Sequence, residues 1–159
     1  MEQIAEEAEV SPSTLFRYFP TKENLVLTDD YDSLIIEALR GQSPDTEPIQ
    51  AVREALRAGF GGVLAEELPL FRERQKLALT VPRLRAASLD QLSQSMHTLA
   101  DILAERTGRH PDDLAIRTLA GAVIGVILST MVHWAQHPEA DPFRVLDESL
   151  AHLQAGLLL

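Results

Sequence analysis

The sequence predicts an all-α protein, and three observations carry that expectation. Apolar residues recur at steps of three and four almost throughout the chain. No run of alternating β-branched residues is long enough for a strand pair. Ser, Thr, Pro and Gly fall at intervals where helices start and stop.

Taken in order, Ile4, Ala5 and Ala8 mark a first short helix, and Glu9 and Val10 break its pattern. Ser11 followed by Pro12 reads as an N-cap with proline in the first turn of a second helix, which runs to about Tyr18. Phe19 and Pro20 end it. Thr21 caps a third helix that continues through Leu25, Val26, Leu34, Ile35, Ala38 and Leu39. Gly41 to Pro48 (GQSPDTEP) is the best linker candidate, because turn residues crowd it. Beyond it, Ile49, Val52, Leu56, Phe60 and Val63 step as one face of an amphipathic helix. Pro69 opens a shorter helix through Leu77. Leu89, Leu92, Met96, Leu99 and Leu103 form the next, stopping at Gly108. Pro111 to His137 is the most apolar helix, and Phe143, Leu146, Leu150, Leu153 and Leu157 form the last. Two units follow: a headpiece, residues 1–40, and a helical body, residues 48–159, for ligand binding and dimerisation.

Composition narrows the function. At 159 residues the chain can bury a real core without staples, and it contains no Cys, which excludes disulfides, thiolate metal sites and Cys nucleophiles. Met1 leads directly into Glu2, Glu6 and Glu7, unlike a secretory signal, so a cytoplasmic location is expected. Thr118 to Val132 is uncharged but shorter than the roughly 20 residues that span a bilayer; a buried helix and no membrane contact are expected. The net charge of −10 opposes broad affinity for nucleic acid. No nucleophile, acid–base pair or metal cluster stands out, so neither an enzyme nor a cofactor is expected.

A short helix, a tight turn and a second short helix describe a helix-turn-helix, whose second member enters the major groove. Ile4, Ala5, Ala8, Val10 and Leu15 would form its small core, leaving Ser11, Ser13, Thr14, Arg17 and Tyr18 outside. Hydroxyls suit phosphates and base edges, and Arg suits guanine. Lys22 adds a charge at a helix start, where backbone N–H groups also favour anions. The plainer reading is that short capped helices merely decorate a bundle.

The stretch IAEEAEVSPSTLFRYFPTKENLVL, Ile4 to Leu27, closely resembles the DNA-binding signature of the TetR (tetracycline-repressor) family of bacterial transcription regulators. An Ile-Ala opening, a Val-Ser turn, a Thr-Leu-aromatic recognition helix, Tyr-Phe and a Lys-Glu-x-Leu start carry the likeness. The resemblance implies a two-fold dimer, a headpiece on a palindromic double-stranded operator, and a variable helical body whose ligand releases the DNA. By position, Ser11, Pro12, Ser13, Thr14, Arg17 and Tyr18 take the recognition-helix places and Lys22 the phosphate-contacting one; Phe16 stands where many relatives have Tyr. Such proteins place a helix of about four turns before the one holding Ile4, and here it is absent. Without it, residues 1–28 hold Arg17 and Lys22 against Glu2, Glu6, Glu7, Glu9 and Glu23, a net −3. A chain shortened at its N-terminus, binding DNA poorly as written, is therefore expected. The alternative function is a dimeric small-molecule-binding module whose DNA binding is impaired.

For the body, Phe60, Phe71, Met96, Met131 and Trp134, with His97 and His133 as polar handles, are candidate contacts to a largely apolar effector. The resemblance implies that residues 111–137 and 143–158 form a homodimer bundle with the partner's pair, and Ala120, Gly121, Ala122 and Gly125 would allow two copies to approach closely. His133 and His137 lie at metal-ligand spacing with Glu139 and Asp141 nearby, but satisfied helical histidines are the stronger reading. Gly59, Gly61 and Gly62 read as a close helix approach or kink rather than a phosphate loop. Arg72, Arg74, Lys76, Arg83 and Arg85 read as a solvated basic face before an acidic-effector site.

Overall fold

Short polar side chains and prolines start the helices where the local chemistry requires. The computed structural model describes residues 1–28, 31–61, 63 and 66–157. Among these residues it has nine helices and no strand: α1 (Glu2–Glu7), α2 (Pro12–Tyr18), α3 (Lys22–Leu27), α4 (Tyr31–Arg40), α5 (Pro48–Phe60), α6 (Leu68–Thr80), α7 (Pro82–Thr107), α8 (Leu114–Gln136) and α9 (Pro142–Gln154). Ser11 Oγ accepts the Thr14 N–H at 3.1 Å, and Thr21 with Asn24 forms a reciprocal capping box. The Glu47 carboxylate caps α5 and Asp141 caps α9. Asp113, accepting the Ala115 N–H at 2.8 Å, starts α8 at Leu114 rather than at Pro111. That hydrogen bond holds the Asp113 carboxyl below its ordinary range. Gly108, at φ 67°, ends α7 in the left-handed conformation that glycine adopts without strain.

One expected element is two. The third helix does not continue from Thr21 to Leu39; α3 stops at Leu27 and Thr28 is extended, with ψ 128°. Arg74 on α6 explains the stop, donating from Nε to the Val26 carbonyl at 2.8 Å and from Nη2 to the Thr28 carbonyl at 3.0 Å. These oxygens need a partner once the helix ladder ends. The headpiece core is also smaller than expected: Ala5 and Leu15 are buried, but Ile4, Ala8 and Val10 are exposed. The turn that joins α1 to α2 places Glu9 at φ 54° and closes by a Val10 N–H to Ala5 carbonyl bond, which directs Val10 away from the α1–α2 contact.

The linker candidate is an ordered turn. Arg106, near the end of α7, gathers its carbonyls, with Nη1 on Leu39 and Gln42 and Nη2 on Ser43 and Thr46 at 2.7–3.4 Å. The main core lies among α4, α5, α7, α8 and α9, around Leu39, Val52, Leu56, Ile102, Leu103, Val123, Leu146 and Leu150. Arg53 and Arg57 of α5 clasp Asp147 of α9; their hydrogen bonds hold that carboxyl below its ordinary range. A file of rings joins five helices. Phe143 stacks on Phe60 with centroids 5.0 Å apart, Phe60 meets Tyr31 at 5.6 Å, Tyr31 meets Phe71 edge-on at 5.9 Å, and Phe71 meets Trp134 at 5.7 Å.

The α8 helix is 23 residues long, longer than the uncharged run suggested, and by length and composition could cross a membrane. It packs against α6, α7 and α9, with 28% of its most apolar window buried within the chain, so it is less covered than the buried helix expected.

Gly59 lets α4 and α5 approach: a Cβ there would run into Ile35 Cγ1 and lie 3.3 Å from its backbone nitrogen. This is the close approach read from the glycine cluster; Gly61 follows as the C-terminal cap, and Gly62 lies outside the described residues. Substituting Gly59→Ala is expected to force the helices apart and cost about 1–3 kcal/mol, outweighing the roughly 1 kcal/mol that Ala gains in helix propensity. A lower midpoint in urea unfolding with unchanged slope is the expected readout; an equal or higher midpoint would contradict the packing.

Candidate functional site

The small α2 helix is anchored on one side and open on the other. Leu15 is buried, while Ser11, Pro12, Ser13, Arg17 and Tyr18 are exposed and Thr14 is half-buried. Ser11 Oγ is occupied as a cap and lies 2.9 Å from Ser13 Oγ and 2.8 Å from Thr14 Oγ1. Ser11 and Pro12 therefore define where the helix begins. Ser13, Arg17 and Tyr18 are its free reach, and Arg17 lies over the Tyr18 ring at 5.1 Å. Lys22, also exposed, opens α3 one turn of chain later. These groups donate hydrogen bonds and positive charge, as contacts to phosphate and base edges require. Phe16 is exposed as well, contributing apolar surface where a Tyr would offer a hydroxyl.

Deeper in the body, α4, α5, α7 and α8 enclose a chamber of about 320 Å³. Its floor is aliphatic, with Leu39, Val52, Leu56, Ile102 and Val123. Its other wall is a polar stripe on α7: Gln91, Gln94, Ser95 and Thr98, spaced to share one helix face. Asp32 of α4 faces that stripe and accepts from Gln91 Nε2 at 3.3 Å. A second chamber of about 170 Å³ lies toward α6 and shares Asp32, Gln91, Ser95 and Ile127 with the first. Arg74 lines it, beneath the α3 carbonyls that it holds.

Of the effector-contact candidates, Phe60, Phe71 and Met131 line the second chamber. Trp134 is buried against Phe71 and Met131 but lines neither chamber. Met96 and His97 border a separate recess between α7 and α8, where His97 Nδ1 lies 2.6 Å from the Ser93 carbonyl. His133 is exposed, and its ring stacks on His137 at 4.2 Å. No group of three or more potential metal ligands gathers among the described residues. The basic cluster is dispersed in role, since Arg74 binds backbone carbonyls and Lys76 pairs with Glu73 at 2.8 Å. The α7 stripe is a feature that sequence reasoning missed, although its spacing is visible there; a pocket sought among aromatic rings passes it over.

Comparison with known proteins decides the family. The N-terminal pattern of the tetR family of bacterial regulatory proteins matches residues 1–28, and the MftR C-terminal domain of TetR proteins matches residues 46–158. The chain belongs to the TetR family. It is 28% identical to a protein of Mycobacterium tuberculosis named as a mycofactocin biosynthesis transcriptional regulator, MftR, over 99% of this chain and 80% of that one. It is 36% identical to the HTH-type transcriptional regulator TcmR of Streptomyces glaucescens, over 71% of this chain and 53% of that one. As a TetR-family member the chain is a ligand-responsive transcriptional regulator rather than an enzyme.

Arg74 is one tie between α3 and the helices that follow, through the Val26 and Thr28 carbonyls. Arg74→Met keeps the aliphatic stem but removes both donors, leaving the Val26 and Thr28 carbonyls without them. Unfolding is expected about 1–3 kcal/mol easier, with faster amide hydrogen exchange concentrated in α3. Unchanged exchange in α3 would show that Arg74 does not hold it.

Proposed function

We propose that the chain is a cytoplasmic repressor whose dimer seats two α2 helices in successive major grooves of a palindromic operator, and that an effector in the body releases it. The observation carrying this reading is the orientation of α2: Leu15 inward, with Ser13, Arg17 and Tyr18 outward beside Lys22. The headpiece corresponds to residues 1–40 and the ligand-binding and dimerisation body to residues 48–159.

Dimerisation through residues 111–137 and 143–158 is supported by α8, whose most apolar window is 28% buried within one chain. Thr118, Gly125, Ser129 and Val132 form an exposed strip of mostly small residues, flanked by half-buried Gly121 and Ala122. On α9, Val145 and Ser149 are half-buried; Leu158 lies outside the described residues. The effector would occupy the two chambers, the first lined largely by aliphatic side chains and the second by aliphatic, aromatic and polar ones. Filling them would press on α4, which lines the first chamber and is the last helix of the headpiece, and so change the separation of the two α2 helices from one operator turn, roughly 34 Å.

Selection of binding sites from a random duplex library tests the reading with no operator assumed. An inverted repeat is expected to emerge. Arg17→Ala is expected to relax one base position in each half-site at a cost of about 1–3 kcal/mol, whereas Lys22→Ala weakens all sites alike and lowers the salt slope by about 1. If the chain binds small molecules but enriches no repeat, the alternative of a ligand-binding module with impaired DNA binding holds instead; the net charge of −3 over residues 1–28 is what favours that alternative.

A further inference from the structure

The first chamber is lined unevenly, and the unevenness selects a ligand chemistry. Among the described residues that line it, Asp32 is the one charged side chain. It is exposed at the edge of the chamber, across from Gln91, while Leu39, Ile102 and Val123 in the floor are buried. The polar groups therefore stand along one side, between α4 and α7, and the depth is hydrocarbon.

From this arrangement we infer that the effector is an apolar molecule with a hydrogen-bond-donating, non-anionic polar group, which sits between Asp32 and Gln91 while its tail enters the aliphatic floor. Gln91 donates to Asp32, so its amide oxygen and the carboxylate are both turned to acceptor use. A hydroxyl, amide N–H or ammonium on the ligand would complete the pair. A carboxylate would meet a like charge there. The cation of the adjoining chamber, Arg74, is committed to the Val26 and Thr28 carbonyls and offers no relief without releasing α3. The Asp32–Gln91 bond, at 3.3 Å, is long and readily replaced by a ligand donor. Because it joins α4 to α7, its replacement is felt by the last helix of the headpiece.

This inference rests on the proposal that the body cavity takes the effector, and one titration series separates the two. Binding of decanol, decylamine and decanoate to the full chain is measured by calorimetry, each below its micelle-forming concentration. Decylamine and decanol are expected to bind saturably, with decanoate at least about tenfold weaker. Asp32→Asn is expected to bring the three within about threefold of one another, and Ile124→Trp, which pushes an indole into the chamber from its wall, to weaken binding of all three at least about tenfold while far-ultraviolet circular dichroism stays unchanged. Decanoate binding as tightly as decanol to the unmodified chain would overturn the chemistry inferred here and leave the cavity reading intact. Absence of saturable binding by any of the three, or binding that Ile124→Trp leaves unchanged, would overturn the cavity reading itself.

Discussion

The close seating of α4 on α5 is the contact on which the rest depends. Gly59 has no side chain where Ile35 lies, and so the two helices can meet at a distance that a methyl group would forbid. That approach fixes α4, and α4 serves two neighbours. Its first residue, Tyr31, belongs to the file of rings from Phe143 to Trp134. Its inner face, Asp32, Ile35, Ile36 and Leu39, lines the larger chamber. Interiors packed at crystal-like density transmit displacement rather than absorbing it. A helix bound on one side to a close-packed neighbour and on the other to an empty space is a natural lever.

The two arginines that bracket α4 limit how that lever moves. Arg74 holds the chain just before it, through the Val26 and Thr28 carbonyls, and Arg106 holds the chain just after it, through Leu39, Gln42, Ser43 and Thr46. Both guanidiniums donate to backbone oxygens, a use that their forked donors suit. The turn after α4 is therefore an ordered connection to α5.

Much of the local architecture was legible because caps and prolines act within a few residues. The starts at Ser11–Pro12, Thr21, Pro48 and Pro142 and the stop at Gly108 needed nothing from distant parts of the chain. The break between α3 and α4 was not legible, because the group that satisfies its open carbonyls, Arg74, lies 46 and 48 residues further along. Burial in the headpiece falls short of the sequence pattern for the same reason: helical spacing identifies an apolar face but not what covers it, and Ile4 and Val10 are exposed. In the body, Phe60, Phe71 and Trp134 make ring contacts between helices, and Phe60 and Phe71 also line the smaller chamber. The larger chamber is built from aliphatic side chains and the α7 stripe of Gln91, Gln94, Ser95 and Thr98. Only tertiary folding sets that stripe opposite Asp32.

Coupling of the chamber to the headpiece through α4 is tested most directly by a distance measured within one chain. Because the sequence has no Cys, spin labels can be placed at Ser13→Cys on α2 and Glu105→Cys on α7, both exposed, with the labelled chain diluted into unlabelled protein. Pulsed electron resonance would then compare the label separation in the otherwise unmodified chain and with the chamber narrowed by Ile124→Trp. A shifted distance distribution with unchanged helix content is the expected result. A distribution that stays the same when the chamber is narrowed would contradict the coupling.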